Sequence, residues 1–396
     1  MKFEIIKDFH RPNMSEQIAS AWDEERLLVI CPPQLKDHSF EKTFSQNINW
    51  PAKPVLGVFT SGTLSARPRL ALYSRENILS ALQAIYALYD RSRIDTVYCY
   101  PQPFHTFGLT LGYVASHLFG WRLIAPIGKY SRQAHHRRLE IESEKVLTLG
   151  TPTHFYDLIR FCQEERVRPR PTYSAIIGGA SVSPRLWLEV QRELSIESPS
   201  VGYGCTEASP GIAHLAPGIV PTQEGEIGRP LASLSSQVTS SGVRISGPSL
   251  CLALVEGGKV EFPKRLTIRD QVHIDHRGSW YFLGRLDLTL NRGGVKYSLE
   301  SIERDLTDVL RSTIVATALR DDRLGEELGL VVLEDSRNQV SPETVRRVLI
   351  DRWGFRIPPE HVRLVRDLPL NECGKLDRTR LKEAFRPAVQ ESIPAI

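Results

Sequence analysis

The sequence predicts an α/β protein, with a large domain of parallel sheets, helices and a small antiparallel β region, and a smaller α+β domain after it. Short apolar runs alternate with amphipathic stretches through the first half of the chain, which is typical of a parallel sheet covered by helices. After residue 215, glycine, proline and serine become dense and the apolar runs shorten, which indicates antiparallel strands. Two helical patterns around a strand pair then form the last part.

Each element of the first half can be assigned from its apolar spacing and its flanking residues. Helix starts are marked by Ser74 and by Ser183 followed by Pro184, because a serine side chain accepts from free helix N–H groups and proline suits the first helical position. The predicted strands are 26–32, 55–60, 96–101, 173–179 and 199–204, and the predicted helices are 76–90, 153–165 and 183–194.

The last part is predicted to contain helices 299–310 and 341–352 around strands 313–319 and 328–333. Net charge is positive before residue 285 and slightly negative after it. Pattern and charge together predict domains at 1–284 and 285–396.

Composition excludes several classes of protein. The chain has 396 residues, of which 41% are hydrophobic and 24% charged, as in ordinary globular proteins. A net charge of +4 is too small to predict a nucleic-acid partner. The six cysteines form no C-x-x-C pair, so no zinc knuckle is encoded, and no apolar run is long enough to span a membrane. A cytoplasmic protein is therefore predicted.

A possible phosphate-binding segment follows the strand at 55–60. It contains Thr60, Ser61, Gly62 and Thr63, with Arg69 behind them. Backbone N–H groups, hydroxyls and a guanidinium suit a polyphosphate, although no G-K-[ST] follows as in a P-loop. The alternative is a serine-rich surface turn.

Two further segments lie where predicted strands end. His105 and Phe107 follow the strand at 96–101 and are candidates for an acyl pocket, the alternative being a core histidine. Gly178, Gly179 and Ala180 end the strand at 173–179, where ligands bind in α/β sheets. Small residues there let a flat base approach the backbone, but a tight turn would use the same residues.

The segment 202–207 reads Gly-Tyr-Gly-Cys-Thr-Glu and also ends a strand. Tyr203 offers a flat face to a base, and Thr206 offers a hydroxyl to a phosphate oxygen. Glu207 offers a hard oxygen to Mg²⁺, which needs few carboxylates because it keeps several waters. The alternative is a glycine-rich turn with a solvated glutamate.

A last group of residues is scattered through the C-terminal third. Asp270 can bind both hydroxyls of a ribose, and Arg285 can reach a phosphate. Lys375 follows a glycine on a predicted loop, as a mobile cation would. Taken singly, each is an ordinary surface residue.

In this order and spacing, the segments resemble the adenylate-forming superfamily of acyl-CoA synthetases, peptide-synthetase adenylation domains and luciferases. The resemblance covers residues 55–385, and its specific motifs are Tyr-Gly-x-Thr-Glu, Gly-Arg-x-Asp and the terminal Leu-Pro…Gly-Lys-x-Asp-Arg. It implies an ATP-dependent enzyme that activates a carboxylic acid as an acyl-adenylate, with a C-terminal domain that rotates between two half-reactions.

The resemblance also implies a role for each candidate residue. The nucleotide would be bound by the loop Thr60–Thr63 with Arg69, by Gly179, Ala180, Tyr203 and Gly204 around adenine, and by Asp270 with Arg285 at the ribose and phosphate. The chemistry would involve Thr206 at the α-phosphate, Glu207 at Mg²⁺ and Lys375 between carboxylate and α-phosphate. The acid would lie near His105, Phe107, Gly178 and Gly202, Asp287 would be the hinge, and Gly294 would line the thiol tunnel.

The phosphate segment departs from the family pattern Thr-Ser-Gly-Thr-Thr-Gly-x-Pro-Lys-Gly. Leu64 and Ser65 replace Thr-Gly, one residue is added, and Arg69 stands at the lysine. Weaker binding of the phosphates would follow from these changes, whereas loss of activity does not follow.

The short N-terminal part is similar to that of the compact o-succinylbenzoate–CoA ligases of menaquinone biosynthesis. The prediction is therefore an AMP-forming acid–CoA ligase that uses ATP, Mg²⁺ and CoA, with o-succinylbenzoate as the first candidate acid. A homodimer is compatible with it. The alternatives are another acyl-CoA synthetase, an enzyme that loads a carrier protein, and a non-catalytic nucleotide-binding paralogue. Nucleic-acid binding through the basic runs at 131–138 and 166–170 ranks last.

Overall fold

The computed structural model describes residues 3–7, 13–32, 35, 40–44, 48–60, 69–126, 131–334, 340–370 and 376–385. These residues form two compact units. The first comprises the described residues up to 282, except for Arg269–Gln271, which join the second unit together with residues 283–385. A large α/β unit and a smaller α+β unit confirm the predicted fold class.

The helices begin and end close to the predicted positions. A π-helix at Phe107–Val114 was not predicted. The α-helices are α1 (Met14–Asp23), α2 (Glu41–Phe44), α3 (Arg75–Tyr86), α4 (Ala115–Phe119), α5 (Arg132–Leu139), α6 (Pro152–Glu165), α7 (Pro184–Glu193), α8 (Leu299–Leu310), α9 (Pro342–Trp353) and α10 (Arg378–Leu381).

The strands outnumber the helices and are short in the second half of the chain. They are β1 (Phe3–Ile6), β2 (Leu27–Ile30), β3 (Pro54–Thr60), β4 (Arg69–Ser74), β5 (Thr96–Cys99), β6 (Arg122–Ile124), β7 (Val146–Gly150), β8 (Thr172–Gly178), β9 (Ile196–Gly204), β10 (Gly211–Leu215), β11 (Glu226–Pro230), β12 (Ser235–Thr239), β13 (Gly242–Ser246), β14 (Ala253–Glu256), β15 (Lys259–Glu261), β16 (Leu266–Ile268), β17 (Asp270–Ile274), β18 (Trp280–Arg285), β19 (Thr289–Arg292), β20 (Val295–Ser298), β21 (Ile314–Asp321), β22 (Gly325–Leu333) and β23 (Val362–Val365).

The largest sheet has the strand order β17-β18-β11-β10-β9-β8-β7-β5-β6. Its strands β5 to β9 are parallel, and β10 and β11 continue it antiparallel. A six-stranded sheet has the order β1-β2-β3-β4-β14-β15, and β12, β13 and β16 form a small antiparallel sheet. The parallel strands bring several of their carboxyl ends to one edge, where α/β proteins bind ligands.

Both predicted helix starts are confirmed. Ser74 Oγ accepts from the Asn77 N–H at 3.3 Å, and Asn77 Oδ1 accepts from the Ser74 N–H at 2.9 Å. Ser183 Oγ accepts from the Leu186 N–H at 3.1 Å. Each cap satisfies N–H groups that the first helical turn leaves without a partner.

The cores lie between the helices and the sheets. Phe155 of α6 and Trp187 of α7 are fully buried against β8 and β9. In the second unit, α8 and α9 pack their apolar faces on the sheet that contains β21 and β22. Among the described helices, none is both long and apolar enough to cross a membrane.

Candidate active site

The predicted phosphate segment joins two antiparallel strands. Thr60 at the end of β3 pairs with Arg69 at the start of β4. Arg69 Nη2 donates to Glu207 Oε1 at 3.0 Å, although 138 residues separate the two. The fold therefore brings the base of this segment to the Thr-Glu motif. Ser61, Gly62 and Thr63 lie outside the described residues, so their roles stay predictions.

The turn that carries Thr206 and Glu207 is held by two hydrogen bonds to its backbone. Thr206–Ala208 form a 3₁₀ turn after β9. The Tyr73 hydroxyl donates to the Thr206 carbonyl, and the Cys251 N–H donates to the Glu207 carbonyl, both at 2.8 Å. Burial raises the pKa of Tyr73 far above its ordinary value, so the phenol keeps the proton that it donates.

Glu207 fits the single carboxylate that Mg²⁺ takes from a protein when nucleotide phosphates supply other ligands. Only 11% of its side chain is exposed, and Arg69 balances its charge. Within the described ranges, no group of three His, Cys, Asp or Glu residues could hold a metal ion by itself. The donor set therefore suits a cation that arrives with the nucleotide.

The four residues predicted to border the acid include three that the structure brings together. Gly178 of β8 pairs with Gly202 of β9, so both face the same side of the sheet. A Cβ atom on Gly178 would lie 3.4 Å from Phe107 Cε1. We call the region beside Gly178 and Gly202, bordered by Phe107, the glycine slot; a Cβ would lie 3.1 Å from the Gly202 carbonyl oxygen at Gly178 and 3.2 Å from Ile176 Cγ2 at Gly202. His105, the fourth residue, lies against Phe104 with 4.3 Å between ring centroids.

The residues predicted at adenine follow the same strand ends. Tyr203 lies with its ring centroid 6.0 Å from that of Phe282. Gly204 must be glycine, because a Cβ there would lie 1.7 Å from the Pro210 carbonyl oxygen. Gly179 has a φ of +85° in the exposed bend after β8, and Ala180 is exposed beside it. Their contact with adenine stays a prediction.

Arg285 and Asp287 of the second unit are bound to each other. Arg285 Nε and Nη2 donate to the two carboxylate oxygens of Asp287 at 2.8 and 2.9 Å. The hydrogen bonds with Asp287 raise the pKa of Arg285. Burial alone would raise the pKa of Asp287, but hydrogen bonds and charge from Arg285 lower it. The residue predicted to reach a phosphate is therefore paired with the predicted hinge.

Asp270 lies in the same unit and is buried, with its Oδ1 3.8 Å from Arg285 Nη1. The Leu286 N–H donates to the Arg269 carbonyl, which ties this segment to the chain after residue 283. Sequence reasoning placed Asp270 in domain 1–284, whereas its contacts place it in the second unit. Gly294 lies in the exposed turn between β19 and β20, and Lys375 lies outside the described residues.

Sequence reasoning missed Tyr73 and a buried group formed by Tyr89, Ser200 and His214. Tyr89 contacts Ser200 Oγ at 2.5 Å and His214 Nε2 at 2.8 Å. No motif marks these residues. Only the register of β9 and β10 in the structure, which pairs His214 with Gly202, brings this group to the site.

The chain matches the sequence profile of the family described as AMP-binding enzyme over residues 6–242, which is more than half of its length. It therefore belongs to the AMP-binding enzyme family.

Two curated relatives are similar over most of this chain. An acyl-CoA ligase of Ajellomyces capsulatus is 25% identical over 364 residues, covering 84% of this chain and 62% of the relative. A probable CoA ligase of Humulus lupulus is 25% identical over 399 residues, covering 94% of this chain and 74% of the relative. The chain thus spans less than two thirds of the first relative.

The fold is similar to that of a solved o-succinylbenzoate CoA synthetase from Bacillus subtilis in complex with its acyl-adenylate intermediate. The TM-score is 0.79 at 16% identity, covering 96% of this chain and 88% of the other. At that identity, the similarity establishes the fold alone.

Proposed function

We propose that this protein is an ATP-dependent carboxylic acid–CoA ligase that works through an acyl-adenylate. The observation that carries the proposal is the Arg69–Glu207 contact, which joins the phosphate segment to the Thr-Glu turn. The glycine slot lies on β8 and β9, and β9 leads into the same turn. Family membership and the acyl-CoA ligases among its relatives support this assignment.

The reaction needs no protein nucleophile. A carboxylate oxygen of the acid attacks the α-phosphorus of ATP, and the bond from that phosphorus to the pyrophosphate oxygen breaks. The CoA thiol then gives its proton to water and its sulfur attacks the acyl carbon, and the bond from that carbon to the phosphate oxygen of AMP breaks. Thr206 would donate its hydroxyl to the α-phosphate and Glu207 would hold Mg²⁺, which supplies positive charge next to the phosphates. Catalysis is then positioning and charge neutralisation.

Lys375 is proposed to bridge the acid and the α-phosphate during adenylation only. Lys375→Ala should reduce acid-dependent pyrophosphate release by about 100-fold, because one cation that stabilises the transition state is lost. Thioester formation from prepared acyl-adenylate should survive. Lys382→Ala, at an exposed lysine of the same unit, is the matched control. Equal loss in both half-reactions would contradict the assigned role.

The acid is proposed at two levels. An aryl or acyl carboxylic acid is the coarser candidate, from the ligase class. The finer candidate is o-succinylbenzoate, which the similar fold of an o-succinylbenzoate CoA synthetase supports. A role in the menaquinone pathway depends on the second level. A cytoplasmic location and a homodimer stay predictions that do not depend on which acid is used. A pyrophosphate-release screen over aromatic and aliphatic acids, including o-succinylbenzoate, tests both levels at once. CoA and a phosphopantetheine carrier protein offered in competition decide the acceptor.

A non-catalytic nucleotide-binding protein is the second candidate. The observation that favours it is that Arg69 already neutralises the carboxylate proposed for Mg²⁺. Tight ATP binding, with no acid in the screen causing pyrophosphate release, would support this candidate over the ligase.

A further inference from the structure

A buried histidine borders the glycine slot. His214 of β10 lies directly opposite Gly202 of β9, and paired residues of antiparallel strands face the same side of a sheet. A Cβ on Gly202 would lie 3.6 Å from both Nδ1 and Cε1 of His214. The absent side chain therefore leaves the Nδ1 edge of the imidazole beside the slot, although His214 is only 5% exposed.

A chain of hydrogen bonds fixes which nitrogen of His214 carries the proton. Ser200 Oγ donates its only proton to the Ala175 carbonyl at 2.7 Å, because a carbonyl can only accept. Ser200 Oγ can therefore only accept from Tyr89, so the Tyr89 hydroxyl donates its proton to Ser200. The Tyr89 oxygen must then accept from His214, so Nε2 of His214 carries the proton. This is the arrangement in which each of the three contacts contains one proton.

The remaining nitrogen, Nδ1, is consequently a hydrogen-bond acceptor. Burial lowers the pKa of His214 to about 4, so the ring is neutral at physiological pH. Among the described residues, none donates to Nδ1. Phe107 and Ile176, which also border the slot, are apolar, so the slot combines apolar side chains with the lone pair of Nδ1. A ligand group that donates to Nδ1 gains a hydrogen bond there, whereas a ligand that covers this nitrogen without donating removes it from water without replacing the hydrogen bond.

We propose that His214 determines specificity in the acid-binding slot, where Nδ1 accepts a hydrogen bond from a hydroxyl or amino group of an aryl acid. Tyr89 and Ser200 are positioning residues that keep the proton on Nε2. The inference rests on the proposed function and narrows its substrate class. It counts against o-succinylbenzoate, the finer candidate above, because the lone pair of Nδ1 repels a second carboxylate and the slot residues named above carry no positive charge.

The test compares matched acids. Hydroxybenzoates and aminobenzoates, each substituted at position 2, 3 or 4, are assayed by pyrophosphate release against the methoxybenzoates, benzoate and o-succinylbenzoate. At least one donor-bearing acid should exceed its methoxy counterpart about tenfold or more in kcat/KM, since a site built to hydrogen-bond a hydroxyl rejects analogues without it.

Variants of His214 distinguish its role as a hydrogen-bond acceptor from a purely structural role. In His214→Asn the amide oxygen can reach the position of Nδ1, so the preference for a donor should survive. In His214→Gln the amide reaches the position of Nε2 and keeps the Tyr89 contact, so the preference should vanish while the KM for ATP is unchanged. Tyr89→Phe should reduce the ratio of kcat/KM between donor-bearing and methoxy acids, because the proton of His214 can then occupy either ring nitrogen. His276→Phe, at an exposed histidine, should change neither the preference for a donor nor the KM for ATP.

Distinct outcomes would overturn the two proposals. If no acid releases pyrophosphate, the proposed function fails. If acids react but donor-bearing and methoxy acids are equivalent, or if o-succinylbenzoate is the preferred acid and His214→Gln leaves its kcat/KM unchanged, the role of His214 fails and the ligase assignment stands.

Discussion

Under the proposed function, the contact between Arg69 and Glu207 would be exchanged for contacts with the nucleotide and its metal ion. Arg69 balances the charge of the Glu207 carboxylate, of which 11% is exposed. A guanidinium binds phosphate as readily as carboxylate, so arriving phosphates can take Arg69 and leave Glu207 to Mg²⁺. The arginine at the family's lysine position is then compatible with catalysis.

Glu207→Gln tests this exchange. The amide keeps the shape of the side chain but loses its charge, so the Mg²⁺ concentration that gives half-maximal adenylation should rise about tenfold. The measurement is a Mg²⁺ titration of acid-dependent pyrophosphate release. Glu16→Gln, at an exposed glutamate of α1, should leave the titration unchanged. An unaltered Mg²⁺ response in Glu207→Gln would remove this residue from the metal site.

Residues with a chemical motif were predictable, and residues that act through partners distant in the chain were not. Glu207 and Thr206 stand in a recognisable string. Tyr73 holds the same turn from 133 positions away, and nothing in its strand marks that role. The pairing of Arg285 with Asp287 also escaped prediction, because two charges so close in sequence can equally face solvent.

Strands and helices of the large unit were predictable because the alternation of apolar residues is local. The π-helix at Phe107–Val114 was not, since its eight residues carry no periodic pattern. It packs on the end of β5, where a Cβ on Gly112 would lie 2.6 Å from Cys99 Sγ. A Cβ on Gly108 would lie 2.3 Å from the Pro101 carbonyl oxygen. The packing of this helix therefore depends on glycines, and it bears on the site because Phe107 is its first residue.

A double-mutant cycle measures that packing. Gly112→Ala should lower the free energy of unfolding by about 1–3 kcal/mol, because the new methyl group overlaps the Cys99 sulfur in a packed core. Cys99→Ala removes the sulfur, so the double variant should recover at least about 1 kcal/mol relative to the sum of the single changes. Denaturant unfolding gives all four values. Strict additivity would show that the helix does not pack on Cys99 as described.

At the scale of the whole molecule, the fold class was predictable from the sequence. Which of the two units each segment belongs to was not predictable throughout. Alternation and composition separate a large α/β unit from a small α+β unit. The three residues Arg269–Gln271 belong to the small unit, where the Leu286 N–H donates to the Arg269 carbonyl and Asp270 lies near Arg285, and no local pattern encodes that. Domain movement about Asp287 stays a prediction.

Stability should fall between about pH 6.5 and pH 4. Burial is the main cause that lowers the pKa of His135, His154 and His214 to about 4. Below pH 6.5 the unfolded chain binds protons that the folded chain does not, so the unfolding free energy falls as pH falls. A shift of that size in fully buried His214 corresponds to roughly 3 kcal/mol at pH 4.

Urea unfolding at pH 7, 6 and 5 measures this loss, which should begin above the range in which carboxylates titrate. His214→Gln should reduce the change in unfolding free energy per pH unit, whereas His276→Phe, at an exposed position, should not. A constant unfolding free energy from pH 7 to pH 5 would contradict the burial of neutral histidines.

Acid-dependent release of pyrophosphate from ATP is the measurement that tests the central claim most directly. Purified protein is offered ATP, Mg²⁺ and each acid of an aromatic and aliphatic panel, with and without CoA. With at least one acid, and only when Mg²⁺ is present, the ligase assignment predicts pyrophosphate and acyl-adenylate in equal amounts without CoA. When CoA is added, it predicts pyrophosphate, AMP and CoA thioester in equal amounts. ATP that binds but yields no pyrophosphate with any acid would contradict it.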